Sequence, residues 1–322
     1  MKKNKKRRHH TKRPSTGHTQ NQKYTAGVIA MMLGYIVVIT LLCIRRFNSF
    51  TPATYDLGIM IQTVWNTANG WFLQESINMG YPMMRFWMAH WEFIYVVIAG
   101  FYKIFSTPYT LLAFQTVAVA LGALPVYWLG RDVFKNASVG LTFAMVYLLF
   151  PAMQNANLFD VHGVTLASPF LIYCFYFLYH RKFKLFTLFA IIALSCREDS
   201  ALLLIMMGIY AIFFLKERKA GIWTIVLSAV YFLIWFKRMQ IRTMLGFPEY
   251  DIMAGADTHW SHLAQTKDVW WYPIRFLAKK VNILYFIALL GPAAFLSLLS
   301  PETLLIAAPI LLINLFSSYH YT

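Results

Sequence analysis

Apolar residues run along this chain in long blocks separated by short polar or basic stretches. Nine blocks read as membrane-spanning helices: 28–44, 111–129, 138–150, 164–179, 185–196, 200–215, 221–236, 281–299 and 303–318. Lipid offers the backbone no hydrogen bonds, so each block must satisfy its own as a helix. A barrel would need short alternating segments, and the pattern does not show them. The expectation is an all-α, polytopic transmembrane helical protein of nine spans.

A further block, 91–105, is short and carries Glu92 and Lys103. Charge decides how to treat it. If it does not cross, three short basic loops share the cytoplasmic side: Arg131/Lys135, Arg181/Lys182/Lys184 and Lys216/Arg218/Lys219. If it crosses, all three face outward, against the positive-inside rule. Block 91–105 therefore reads as an interfacial or re-entrant helix, inside one long outer loop spanning 45–110. Leu57, Met60, Ile61, Val64 and Ala68 recur at helical spacing, opposite Gln62, Thr63, Asn66 and Asn69. That predicts an amphipathic helix in the same loop, lying in the outer interface. A second outer loop covers 238–280.

Composition supports the membrane reading: only 13% of the 322 residues are charged and 59% are hydrophobic. A soluble domain carries roughly a quarter charged residues. The net charge of +16 would suit a nucleic-acid binder, but eight basic residues crowd ahead of Pro14, just before the first apolar block. Residues 1–27 read as a basic, disordered cytoplasmic tail that orients the first span and touches anionic lipid heads, with no nucleic-acid role. Residues 28–322 read as a single transmembrane domain. The first block lacks a small-x-small cleavage site and reads as an uncleaved span. Cys43, Cys174 and Cys196 show neither metal nor disulfide spacing. No Gly-rich phosphate loop is present, so chemistry driven by cytoplasmic nucleotide is not expected.

Of 13 acidic residues, this topology leaves ten outside: Asp56, Glu75, Glu92, Asp160, Glu198, Asp199, Glu249, Asp251, Asp257 and Asp268. Acids govern insertion little, and ionisable groups tight against spans are costly, so their clustering points to an outer polar site. Asp56 opens the amphipathic helix. It is either a helix cap or a general base at the membrane surface. His90 and Glu92, at the start of block 91–105, either belong to an interfacial belt or orient a phosphate. Asn155, Asn157, Asp160 and His162 make the turn 154–163 more polar than a turn requires; Asp160 and His162 are candidates for holding a cation, sugar or phosphate. Arg197-Glu198-Asp199 reads either as an internal ion pair or as an anion site in which Arg197 meets a phosphate. Asp257-Thr258-His259-Trp260-Ser261-His262 resembles metal spacing only loosely. The sequon at Asn136 falls on the cytoplasmic side.

Several of these stretches carry a resemblance: Tyr55-Asp56-Leu57-Gly58-Ile59 with Gln62 and Trp65-Asn66-Thr67-Ala68, Ala89-His90-Trp91, Leu121 to Tyr127, Ala156 to His162, Arg197-Glu198-Asp199, and Ser300-Pro301-Glu302 through Ser317. Together they resemble a family of bacterial and archaeal predicted membrane proteins catalogued as a domain of unknown function (two-zero-seven-nine). That family is similar in layout to the GT-C glycosyltransferases, which move a sugar from a polyprenyl-phosphate carrier to an acceptor outside the membrane. The resemblance implies a GT-C-like fold at the plasma membrane. It implies Asp56 as catalytic base, with His90, Glu92, Asn157, Asp160, His162, Arg197, Glu198 and Asp199 as the substrate-binding set. The implied partners are a polyprenyl-phosphate-linked sugar and membrane lipids. Many GT-C enzymes have paired Asp-Glu at the first site, whereas Leu57 follows Asp56 here. Some branches use a divalent cation and others none, so the metal stays open. The family usually continues with more spans past a His-Tyr element, and here the chain ends at His320-Tyr321-Thr322, as a fragment would. Two other classes remain open: a transporter or flippase of a lipid-linked substrate, using the same acids for coupling, and a non-catalytic membrane protein.

Overall fold

The computed structural model describes residues 16–50, 54–77, 82–88, 90–245 and 279–316. Among these the architecture is all-α apart from one two-stranded hairpin. Helix α1 runs Thr16–Asn48. It begins well before the apolar block at Val28, so residues 16–27 are helical rather than part of an unstructured tail. Gln22 and Lys23 lose little rotamer freedom in a helix and let it continue past the apolar region.

Three helical stretches are long and apolar enough to cross a membrane: Asn21–Asn48, Tyr109–Phe134 and Arg218–Arg238. A fourth arises if Ala137–Leu148 and Pro151–Phe159, bent by 43° at their break, count as one. The other apolar helices have 10–17 residues. The block 281–299 is not one helix: Lys280–Leu290 stops before Gly291-Pro292, and two 3₁₀ turns, Gly291–Ala293 and Leu296–Leu299, follow. Proline lacks the N–H that would continue the ladder, and Ala294 and Phe295 adopt positive φ there. A last helix covers Pro301–Phe316.

The elements between are α2 (Thr54–Ala68), β1 (Gln74–Glu75) antiparallel to β2 (Met83–Met84), α3 (Arg85–Met88) and α4 (Ile94–Ile104). Then come α5 (Tyr109–Leu121), α6 (Ala123–Phe134), α7 (Ala137–Leu148), α8 (Pro151–Phe159), α9 (Gly163–Tyr179), α10 (Phe183–Cys196), α11 (Ser200–Phe213) and α12 (Arg218–Met244). Gln154 to Phe159, expected as a polar turn, belongs to α8, because Pro151 at its first turn starts a new helix. Between α5 and α6, Pro125 removes the N–H that would bond the Leu121 carbonyl. The Tyr173 hydroxyl donates to that carbonyl instead, at 3.0 Å, and the Tyr147 hydroxyl donates to Val119 at 2.9 Å.

Contacts sort the helix ends into two groups. At one end the tip of α1 meets the tip of α8, where Arg46 Nη1 donates to the Leu158 carbonyl at 2.9 Å. Tyr109, opening α5, donates its hydroxyl to Asn48 at the same end. At the other end Arg181 pairs with Glu217 at 3.1 Å, and Arg131 and Lys182 line one cavity. The three basic loops therefore lie together. Helix α4 both starts and finishes at the first end: Trp91, just before it, is hydrogen-bonded to Glu198, and Tyr109, just after it, reaches α1. Its 11 residues would extend about 16 Å, against about 30 Å of hydrocarbon. Its buried face, Ile94, Tyr95, Ile98, Ala99 and Tyr102, has the i, i+4 spacing of a one-sided helix.

Candidate functional site

Five chain segments deliver charge to the α1–α8 end of the bundle. Asp56 sits in the first turn of α2. Arg85 opens α3, held by the hairpin through its own N–H to the Leu73 carbonyl at 2.8 Å. His90, Trp91 and Glu92 precede α4 rather than beginning it. Asp160 and His162 form the α8–α9 connection, and Arg197, Glu198 and Asp199 form the α10–α11 connection. Asp56, His90, Glu92, Asp160, His162, Arg197, Glu198 and Asp199, all singled out in the sequence, are thus gathered here. The stretch 257–262 lies outside the described residues.

The centre of the cluster is buried and paired. Glu92 accepts from Arg85 Nε at 2.9 Å and Nη2 at 2.8 Å. Both side chains are almost wholly out of solvent, so neither charge would survive alone. Burial alone would raise the Glu92 carboxyl, but the charges of Arg85, His90 and Arg197 overcome it and hold it below its usual value. Glu198, also buried, binds His90 Nδ1 at 2.5 Å through Oε1 and accepts from the Trp91 N–H at 2.9 Å through Oε2. Burial pushes Glu198 up, yet the His90 hydrogen bond and the His90 and Arg197 charges bring it down to about 2. Arg197 lies between acids: 3.6 Å from Glu92, 3.3 Å from Asp199 and 3.7 Å from Glu198. Arg197, Glu198 and Asp199 are thus joined by ion pairs within the chain. Burial raises Asp199 despite Arg197.

The packing around these pairs is close. A Cβ on Gly163 would run into the Cys196 carbonyl oxygen and lie 2.6 Å from Glu92 Oε1, so only glycine lets α9 start against this turn.

A neutral network builds the other half. Gln115, buried in α5, donates to the Asp160 carbonyl at 2.8 Å and accepts from the His162 N–H at 2.8 Å. It clamps the backbone that carries both residues. Asn157 donates to Tyr35 and Thr116, each at 3.3 Å, and the Cys43 thiol donates to the Asn157 carbonyl at 3.4 Å. Asn157 is therefore a buried strut and not a surface ligand. Asp160 is 2% exposed and its Oδ2 has no hydrogen-bond partner among the described residues. Burial pushes it to about 6; Arg46 lowers it and Asp56 raises it. The His162 ring stacks on Phe159, and its Nε2 is 3.9 Å from Asp56 Oδ2. Burial lowers the His162 pKa, against the charges of Asp56 and Glu92. Asp56 differs from the other acids in this cluster: its side chain is 45% exposed.

Sequence reasoning missed Arg85, Gln115, Arg46 and Gly163. Two had a signal. Arg85 is a cation on the outer side of the expected topology, and Gln115 is an amide inside an apolar block, where polar groups are expensive. Among the described residues no group of three His, Cys, Asp or Glu side chains stands ready for a metal ion. Glu92, Glu198 and Asp199 are taken up by Arg85, Arg197 and His90 instead.

Residues 46–322 match the model of a family described as predicted membrane protein (DUF2079). The chain belongs to that family. Its helical, apolar build agrees with the description, and the match covers the whole charged cluster and leaves out all of α1 before Arg46, together with the tail ahead of it. No curated protein and no solved structure matches the chain.

Proposed function

We propose that this membrane protein is a GT-C-like glycosyltransferase, with nine spans in the plasma membrane and its N-terminus in the cytoplasm. It takes a sugar from a polyprenyl-phosphate donor and places it on an extracytoplasmic acceptor. The observation that carries the reading is the contrast within the cluster: Glu92 and Glu198 are buried and tied to cations, while Asp56 is half exposed beside His162. A general base must reach an incoming hydroxyl, and Asp56 is the most exposed carboxylate of the set, at 45% against 33% for Asp199, which Arg197 engages.

In this mechanism Asp56 accepts the proton of the acceptor hydroxyl. The acceptor oxygen bonds to the anomeric carbon, and the bond from that carbon to the phosphate oxygen breaks. Polyprenyl phosphate leaves with the electron pair, and the sugar carbon inverts. His162 steadies Asp56 and, with Asp160, positions donor or acceptor. Arg197 and His90 face the departing phosphate, Glu198 and Asp199 hold those cations in place, and Glu92 fixes the base of the site. No step is routed through a metal.

The test is full-length protein in liposomes, supplied with polyprenyl-phosphate sugars and followed by mass spectrometry of the acceptor. Asp56→Asn should abolish transfer while leaving insertion unchanged; full activity would overturn the assignment. Wild-type protein that moves the lipid-linked sugar between leaflets without transferring it would identify a flippase instead.

A further inference from the structure

The opposite end of the bundle holds a second feature that the proposed reaction does not use. A cavity of about 220 Å³ opens there between α6, α9 and the start of α10, lined by Trp128, Arg131, Tyr176, Phe177 and Lys182. We infer that this cavity binds the phosphate of an anionic lipid headgroup.

Three observations carry the inference. Two cations from separate segments share the cavity wall. Arg131 spends Nε on Asp132 Oδ1, at 2.8 Å. Asp132 also takes a hydrogen bond from the Tyr176 hydroxyl, at 3.2 Å, and faces His180 Nε2 at 3.3 Å. The acid is thus engaged from three sides, and the exposed Lys182 ammonium adds positive charge to the wall. Second, Lys182 is the N-cap of α10, and its side chain makes no capping hydrogen bond. The α10 N-terminus therefore presents N–H groups and the positive end of its dipole. Third, the remaining wall is aromatic: Trp128 packs on Tyr176 with ring centroids 5.3 Å apart. Aromatic rings with basic side chains at the end of an apolar helix suit the headgroup level of a bilayer, where a phosphate sits above acyl chains. Arg181 is offset by Glu217, and the neighbouring loops add Lys135, Lys184 and Lys216, so the local field favours an anion.

The experiment uses the full chain in nanodiscs of phosphatidylcholine with phosphatidylglycerol, released gently into detergent for native mass spectrometry of retained lipid. Wild-type protein should keep phosphatidylglycerol at least fivefold over its share of the bilayer. Lys182→Gln should remove most of that enrichment, and Lys184→Gln, an equal charge change outside the cavity, should leave it. Equal losses in both variants, or no enrichment in wild type, would overturn the site. Inorganic phosphate at millimolar concentration should not displace the lipid; if it does, a free anion is the ligand and the lipid assignment is wrong.

Discussion

The two ends of this bundle carry similar numbers of ionisable groups and treat them in opposite ways. At the α1–α8 end Arg85 and Glu92 are sealed together, with side-chain exposures of 6% and 1%. At the basic end Arg181 and Glu217 make a pair of similar length, with exposures of 60% and 29%. The first pair pre-organises a site in low dielectric, where each charge depends on its partner; the second rests in water and holds little. The two ends therefore differ in purpose: the acidic end fixes geometry in a buried network, and the basic end leaves its pairs within reach of solvent.

The largest expected effect tests that contrast directly. Arg85→Met should cost about 3–5 kcal/mol by stranding Glu92, whereas Arg181→Met should cost under about 1 kcal/mol. Thermal unfolding of the two variants in the same detergent measures the gap, and equal losses would break the comparison. Gly163→Ala comes next, at about 1–3 kcal/mol, because the new Cβ meets the Cys196 carbonyl. Gly100→Ala, with nothing within 4 Å of its added Cβ, should be neutral or slightly stabilising in the same assay.

A pH series sharpens the comparison within the acidic end. Glu198 has a depressed folded pKa of about 2, below its ordinary 4.5. Its contribution to stability is present above pH 4.5 and is lost as pH falls toward 2. Asp160 is raised from 3.8 to about 6. It favours the folded state below pH 3.8, and that contribution fades as pH rises through 6. Asp160→Asn should flatten the stability profile between pH 4 and 6 and leave the acid limb to Glu198→Gln. Identical profiles for both variants would mean that the two acids do not differ as their surroundings require. The smallest effect belongs to Lys184→Gln, an exposed change for which unfolding should shift by less than about 0.5 kcal/mol.

Much of the site could be read from the residues because charge inside apolar sequence is expensive and so conspicuous. Asp56, His90, Asp160, His162 and Arg197-Glu198-Asp199 all stood out that way, and all meet at one end. What each side chain touches could not be read. Arg197, expected to face a phosphate, is also a partner of Glu92, which lies more than 100 residues away along the chain. Asn157 stood out as polar and proved to be a buried strut. Gln115 was passed over inside its apolar block and clamps the Asp160–His162 backbone.

By itself the sequence determined the helical class, the position of most apolar helices and the separation of basic loops from acids. Those follow from backbone hydrogen bonding and from charge, which act locally along the chain. The family, too, is a property of the sequence. Only the tertiary structure decided where helices bend and which acids are spent on cations. Those outcomes depend on contacts between distant segments, where packing and desolvation select one partner among several, and no local pattern records that choice.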